Sequence, residues 1–229
     1  MIKTVIFDLD DTLYDYKDSH RIAMYAICAY CEREFGLTTE ETTDGIDNIM
    51  KQQFEEMGPI AASHNRIIRF QRFLEERDLP VFPHALTMSN LYWKTLMDTA
   101  IREPGIRECL AMLRDSGIRL GVGTNMTALI QYQKLNQLKL GEYFDFIVTS
   151  EEIGIDKPDP AFFQCCIGKA KAEPDEILFI GDNYEFDIRG ARSAGMHALL
   201  YDPKDLRPNE AHRINDYRDL TADDIQAMA

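Results

Sequence analysis

No run of apolar residues in this 229-residue chain approaches the ~18–20 that a transmembrane helix needs. The opening MIKTVIFDLDD places acids directly behind a short apolar run, which is not the pattern of a signal peptide. Basic residues are scarce: 25 Lys and Arg stand against 39 Asp and Glu, a net charge of −14. That balance opposes binding to nucleic acid polymers or to anionic membrane surfaces, and the expected location is the cytoplasm. Cysteine is sparse too. Five cysteines, an odd number, exclude a disulfide framework, and the single C-x-x-C at Cys28 and Cys31 has no second pair to complete a structural zinc site. All five are expected as reduced thiols. Internal repeats and low-complexity stretches are absent. What the chain does have is 45% hydrophobic residues, enough for a substantial core.

The texture of the sequence changes twice. Residues 2–7 (IKTVIF) form an apolar, β-branched run that predicts a buried strand ending at Asp8. From about residue 15 to 101 the apolar spacing is helical, predicting helices over 21–35, 38–57, 60–77 and 84–100. Gly36, Gly58-Pro59 and the Pro80/Pro83 segment separate them. Beyond Pro104-Gly105 the pattern alternates. Helices are predicted over 106–115, 127–138, 160–170 and 184–194, and strands over 118–123, 144–149, 177–180 and 198–201. Alternating apolar strands and helices predict an α/β fold, a doubly wound parallel sheet covered on both faces. The first strand belongs to that sheet, so the helical block is an insertion. Residues 1–14 and 103–229 are expected to form the core, and 15–102 the inserted helical unit.

Ligands of an open parallel sheet bind at the carboxyl ends of its strands. There the sequence places Asp8, Asp10, Asp11 and Thr12; Thr124 and Asn125; Glu151, Glu152 and Lys157; and Gly181, Asp182 and Asp187. Two carboxylates ~4 Å apart repel by about 4 kcal/mol at an effective dielectric of ~20. Asp8, Asp10 and Asp182 gathered together therefore call for a cation or for protons. Oxygen ligands alone are on offer, which suits a hard ion such as Mg²⁺. Such a site, with hydroxyl and ammonium donors around it, suits a phosphoryl group.

These residues carry a family resemblance. FDLDDTLYD (7–15) resembles the D-x-D-x-T motif of the haloacid dehalogenase-like phosphohydrolases. GTN (123–125) resembles their second motif, Lys157 in DKPDP the third, and GDNYEFD (181–187) the fourth. All four stand in order, each after a predicted strand. The segment 150–163 resembles the dehalogenase- and nucleotidase-like branch, and the helical insert between the first two motifs resembles its cap.

The resemblance implies roles. Asp8 is the expected nucleophile, forming an aspartyl-phosphate. Asp10 is expected to protonate the leaving oxygen and then to activate water. A halide leaving group needs no such proton, so Asp10 argues against dehalogenation. Asp8, the backbone carbonyl of Asp10 and Asp182 are the expected Mg²⁺ ligands. Thr124, Lys157 and the backbone N–H groups of Asn125 and Asp11 are expected to hold the phosphoryl oxygens. Thr12 orients the nucleophile loop. Asp187 has two readings, orienting Lys157 (or acting through water) and capping a helix. Arg66, Arg69 and Arg72, three residues apart in the cap, are either a clamp for a second anionic group or a solvated face. The expected function is Mg²⁺-dependent hydrolysis of a small phosphomonoester, a nucleoside 5′-monophosphate or a sugar phosphate. A sugar phosphomutase on the same machinery is the alternative. A non-catalytic module on this fold is a further one, although it would be expected to have lost one of Asp8, Asp10 and Asp182.

Overall fold

The computed structural model describes all 229 residues. Strands β1 (Thr4–Phe7), β2 (Arg119–Thr124), β3 (Phe146–Thr149), β4 (Ile177–Gly181), β5 (His197–Tyr201) and the two-residue β6 (Arg213–Ile214) form one sheet. Its order is β3-β2-β1-β4-β5-β6, with every neighbouring pair parallel. β1 and β4 are buried along their whole length, which is why they read as unbroken apolar runs. From β1 the chain builds outward through β2 and β3, then returns to lay β4 against the other side of β1. The order of winding thus reverses beside β1, and the crevice of a doubly wound sheet opens at such a point.

The chain divides into two compact units. One, Tyr16–Ala100, is helical. It contains α1 (Tyr16–Phe35), α2 (Thr39–Met57), a 3₁₀ turn (Ala61–His64), α3 (Arg66–Glu75) and α4 (His84–Thr99). α1 packs on α4 and α2, and α3 packs on the same two helices. The other unit, Met1–Asp15 with Ile101–Ala229, holds the sheet. Its helices are α5 (Ile106–Asp115), α6 (Ala128–Gln137), α7 (Ser150–Ile153), α8 (Pro160–Ala170), α9 (Arg189–Ser193) and α10 (Ala222–Gln226). Ile6, Val148, Ile177, Phe179 and Leu200 from the strands bury against Phe162, Phe163 and Cys166 of α8, Ile188 just before α9 and Ala191 within it. Each of the Ile, Val, Leu and Phe side chains contributes roughly 1.5–3 kcal/mol when fully buried.

The doubly wound parallel sheet is as the sequence predicts. Several elements differ. The helix expected over 60–77 is broken at Asn65, whose Oδ1 accepts from the N–H groups of Ile67 and Ile68 at 3.1 and 3.4 Å and starts α3 afresh. The helix expected over 184–194 opens with a π turn, Tyr184–Ile188, before α9. That wider turn carries Asp187 inward to 1% exposure. α1 begins at Tyr16, five residues before the expected 21, because YKDSH is too polar to show apolar periodicity. β1 starts at Thr4, not residue 2. β6 and α10 carry little local signal. β6 is set by pairing with β5, and α10 by a Thr221–Asp224 capping box and by Gln226, whose side chain bonds both backbone groups of Ile2 at 2.9 Å. The cysteines are unpaired thiols, as expected, and no helix is long and apolar enough to cross a membrane.

Candidate active site

Asp8 stands one residue past β1, where its N–H still donates to the Ile180 carbonyl of β4 at 2.8 Å. That bond fixes the backbone while the carboxylate leaves the sheet edge. Lys157, 4% exposed, reaches it from the loop between α7 and α8. Its Nζ donates to Asp8 Oδ1 at 2.7 Å, to Asp187 Oδ1 at 2.7 Å and to the Gly123 carbonyl at 3.0 Å, which uses all three of its protons. Carboxylate oxygens of Asp8, Asp182 and Asp187 all lie within 4.8 Å of one another. Two of these acids thus share one ammonium, and Asp182 completes the group. Burial pushes the Asp8 carboxyl up, to about 7; Lys157 opposes this and Asp187 adds to it. For Lys157 burial works against the charge, but Asp187 and Asp8 outweigh it and raise the ammonium above its ordinary range.

Asp187 makes two kinds of contact. One oxygen holds Lys157, and the other accepts from the Asn183 N–H at 3.0 Å, at the opening of the π turn. Its approach requires Gly181: a Cβ there would lie 2.4 Å from Asp187 Oδ2. Thr12, fully buried, ties the first motif to the fourth, its hydroxyl accepting from the Asp182 N–H at 3.1 Å.

The Asp10 carboxylate is not part of the Asp8–Asp182–Asp187 group. Both of its oxygens meet Lys134 Nζ, at 2.6 and 2.9 Å, and Tyr14 Oη donates to it at 2.5 Å. Gln131 Nε2 adds a longer bond at 3.3 Å. Burial disfavours the charged form, but Lys134, then Tyr14 and Gln131, overcome it and hold Asp10 below the usual carboxylate range. Gln131 and Lys134 come from α6, three residues apart on its buried face, at 0% and 1% exposure. Neither was singled out from the sequence. The available signal was a glutamine and a lysine one turn apart shortly after the second motif, a pattern that ordinarily reads as solvated surface.

Gln131 Nε2 also donates to Thr124 Oγ1 at 2.6 Å and to the Asn125 carbonyl at 3.0 Å. It therefore links the second motif to Asp10. The Thr124 hydroxyl donates to the Asn125 carbonyl at 3.2 Å. Asn125, expected to act through its backbone, also braces the lysine loop, its Oδ1 accepting from the Lys157 N–H at 2.8 Å. Asp11 sits at φ 58° in the turn that follows β1. Met126, at φ 113°, is strained for a residue with a side chain; its N–H donates to Ser150 Oγ at 2.8 Å. Glu151 and Glu152, which follow β3, are engaged elsewhere. Glu151 accepts from the Ala128 N–H at the start of α6, and Glu152 pairs with Lys169.

The donor set fits a small hard cation. Its ligand atoms are all oxygen, their spread is close to the ~4.2 Å across an octahedral Mg²⁺ with 2.1 Å bonds, and one lysine leaves the three acids with net negative charge.

Residues 5–201 match the family model of haloacid dehalogenase-like hydrolases. The chain is 31% identical over 207 residues to a ribulose-1,5-bisphosphate 5-phosphatase of Halopiger xanaduensis, covering 90% of this chain and 87% of that one. It is 29% identical over 230 residues to a glyceraldehyde 3-phosphate phosphatase of Methanothermobacter thermautotrophicus, covering 100% and 98%. The solved structure of a phosphatase of this superfamily from Thermococcus onnurineus has a TM-score of 0.75 at 22% identity over 99% of both chains, a likeness of fold. With this fold and these relatives, the chain belongs to the haloacid dehalogenase-like hydrolases, as a phosphoric monoester hydrolase.

Proposed function

We propose that the protein is a Mg²⁺-dependent phosphatase of a small phosphorylated sugar, acting through an aspartyl-phosphate on Asp8. The observation that carries this reading is the buried Lys157 shared by Asp8 and Asp187 at the end of β1. It favours the ionised carboxylate against burial and aims it, as a nucleophile requires. Both relatives described above act on phosphorylated sugars, which favours a sugar phosphate over the nucleotide.

Asp8 Oδ attacks phosphorus and the sugar oxygen leaves, taking a proton from Asp10. Water then attacks the phosphoryl-Asp8, and Asp10 accepts its proton, so the enzyme is regenerated. Lys134 keeps Asp10 ionised, the form the second step needs. An approaching phosphoryl anion raises the proton affinity of Asp10, so that it enters the first step as an acid. Lys157, Thr124 and the N–H groups of Asp11 and Asn125 take the phosphoryl oxygens, with the Thr124 hydroxyl turning from the Asn125 carbonyl. Asp8 and Asp182, with the Asp10 backbone carbonyl, would hold Mg²⁺, which neutralises charge on the transferring group. Asp187 and Thr12 position Lys157 and Asp182.

The test is phosphate release from a panel of sugar phosphates and nucleoside monophosphates with Mg²⁺. A phosphorylated sugar is expected to give the highest kcat/KM, and Asp8→Asn to lower it at least ~100-fold. Preference for a nucleotide, or near-normal turnover by folded Asp8→Asn, would overturn the substrate class or the covalent route respectively.

A further inference from the structure

Two arginines of the helical unit bury their charge without an acid. Arg66 and Arg69 lie one turn apart on α3, at 9% and 3% exposure. The Arg66 guanidinium donates to the His64 carbonyl and to the Tyr16 hydroxyl, each at 2.9 Å. It lies 5.2 Å from the Tyr92 ring centre and 5.7 Å from that of Trp93. Its Nε is buried with no acceptor. Arg69 donates to Gln53 Oε1 at 3.3 Å and to the Ser63 carbonyl at 3.0 Å. Every one of these partners is neutral. Asp47 reaches Arg69 only as the weakest of several fields. Arg72, the third of the series, behaves differently: it is partly exposed and pairs with Glu56 at 2.7 Å.

A buried cation without a counter-charge is disfavoured, and two side by side are more so. Burial works against the Arg66 charge, but Tyr92 and Tyr16 outweigh it and keep the guanidinium ionised, and its field falls on the neighbours. Burial and then Arg66 bring Arg69 down to about 9. Burial and both arginines bring His20 down to about 4, so its ring, stacked on Tyr16 and bonded to the Tyr92 hydroxyl at 2.7 Å, stays neutral. The unit does not lack acids: residues 16–100 hold 13 Asp and Glu against 9 Lys and Arg. An acid at ion-pair distance would relieve both charges, yet the fold sets neutral acceptors there. Tyr16, His20, His64 and Trp93 around the pair are half-buried, so the cluster is not sealed from solvent.

We propose that Arg66 and Arg69 form a binding site for a small oxyanion, a phosphate or carboxylate group, whose negative charge completes the cluster. The Arg66 Nε–H is a buried donor without an acceptor that such an anion would satisfy, and a guanidinium presents the planar fork that oxyanions match. The site lies within the helical unit and does not rest on the phosphatase reading. Its anion has two sources, a second acidic group on the substrate or a separate small anion.

Trp93 is the chain's single tryptophan, so its fluorescence reports on this cluster. The full chain without Mg²⁺ is titrated with sulfate against chloride at constant ionic strength. A saturable Trp93 change is expected, with the apparent sulfate Kd raised at least tenfold in Arg66→Met and Arg69→Met and unchanged in Arg72→Met. Arg66→Lys and Arg69→Lys keep the charge, so they guard against loss of the fold; each is expected to raise the Kd at least threefold. An absent response in wild type would overturn the site. So would a response that survives both lysine variants unchanged, or one lost in Lys157→Met and kept in Arg69→Lys, which would place the anion in the core. The source is read separately, from phosphomonoesters with and without a second acidic group. If the substrate supplies the anion, Arg69→Lys lowers the ratio of their kcat/KM values at least tenfold; an unchanged ratio assigns a separate anion.

Discussion

A carboxylate that is to donate a proton ought to be easy to protonate, and Asp10 is held the other way. Lys134 meets both of its oxygens, and Tyr14 adds a further donor. Removing the ammonium by Lys134→Met leaves a buried acid with weaker partners, so its proton affinity rises. The base form needed by the hydrolytic step is then reached at higher pH. The acid limb of the kcat profile is expected to move upward by about one unit or more, with the phosphoenzyme accumulating below it. The same substitution in an Asp10→Asn background is expected to leave the limb in place, since the titrating group is gone. An unshifted limb in folded Lys134→Met would show that Asp10 does not set it. The sequence marked Asp10 but not its keeper. The pair lies 124 residues apart, and no local pattern joins a lysine on α6 to the turn after β1.

Elements position these residues by where they stop. β4 ends at Gly181, and the π turn that follows brings Asp187 back beneath it. A methyl group at 181 would meet Asp187 Oδ2 at 2.4 Å and its Cγ at 2.5 Å. Gly181→Ala is therefore expected to push the carboxylate off Lys157 and the Asn183 N–H. The cost is about 1–3 kcal/mol of stability, and kcat falls at least ~10-fold with KM little changed. Thermal melts and steady-state rates check both; wild-type kcat in the folded variant would detach Asp187 from the work of Lys157. Strands and long helices were legible in the sequence because their burial is periodic or unbroken. The break at Asn65 and the π turn were not, since one depends on a side chain capping its own helix and the other on an acid drawn toward a lysine 30 residues away.

The whole molecule carries a charge of −14, and its densest acidic group is built into the sheet's crevice. Burial, with Asp187, raises Asp8 from 3.8 to about 7 in the folded protein against the pull of Lys157. Between those values the native state keeps a proton that the unfolded chain has released. Stability without metal therefore falls as pH rises from about 4 to 7. Lys157 stays charged throughout that window and adds no slope. A cation binds the ionised cluster and reverses the trend by mass action. In EDTA, Tm is expected to fall from pH 5 to pH 7.5; with Mg²⁺ the fall disappears, and Asp8→Asn flattens the EDTA curve. Parallel curves with and without Mg²⁺ would count against a metal at these residues.

The doubly wound sheet, and the positions at which acids, a threonine and a lysine follow its strands, are legible in the sequence alone. Those features are local: apolar runs define strands, and polar residues directly behind them fall at one edge of a parallel sheet. Which charges meet is set by the folded chain. Asp8 and Asp187 share Lys157, Asp10 belongs to Lys134, Arg72 has Glu56, and Arg66 and Arg69 have neutral partners. Pairing of charges is a contact between residues far apart in the chain. Its sign and strength depend on burial and distance, and neither is written in the spacing of residue types.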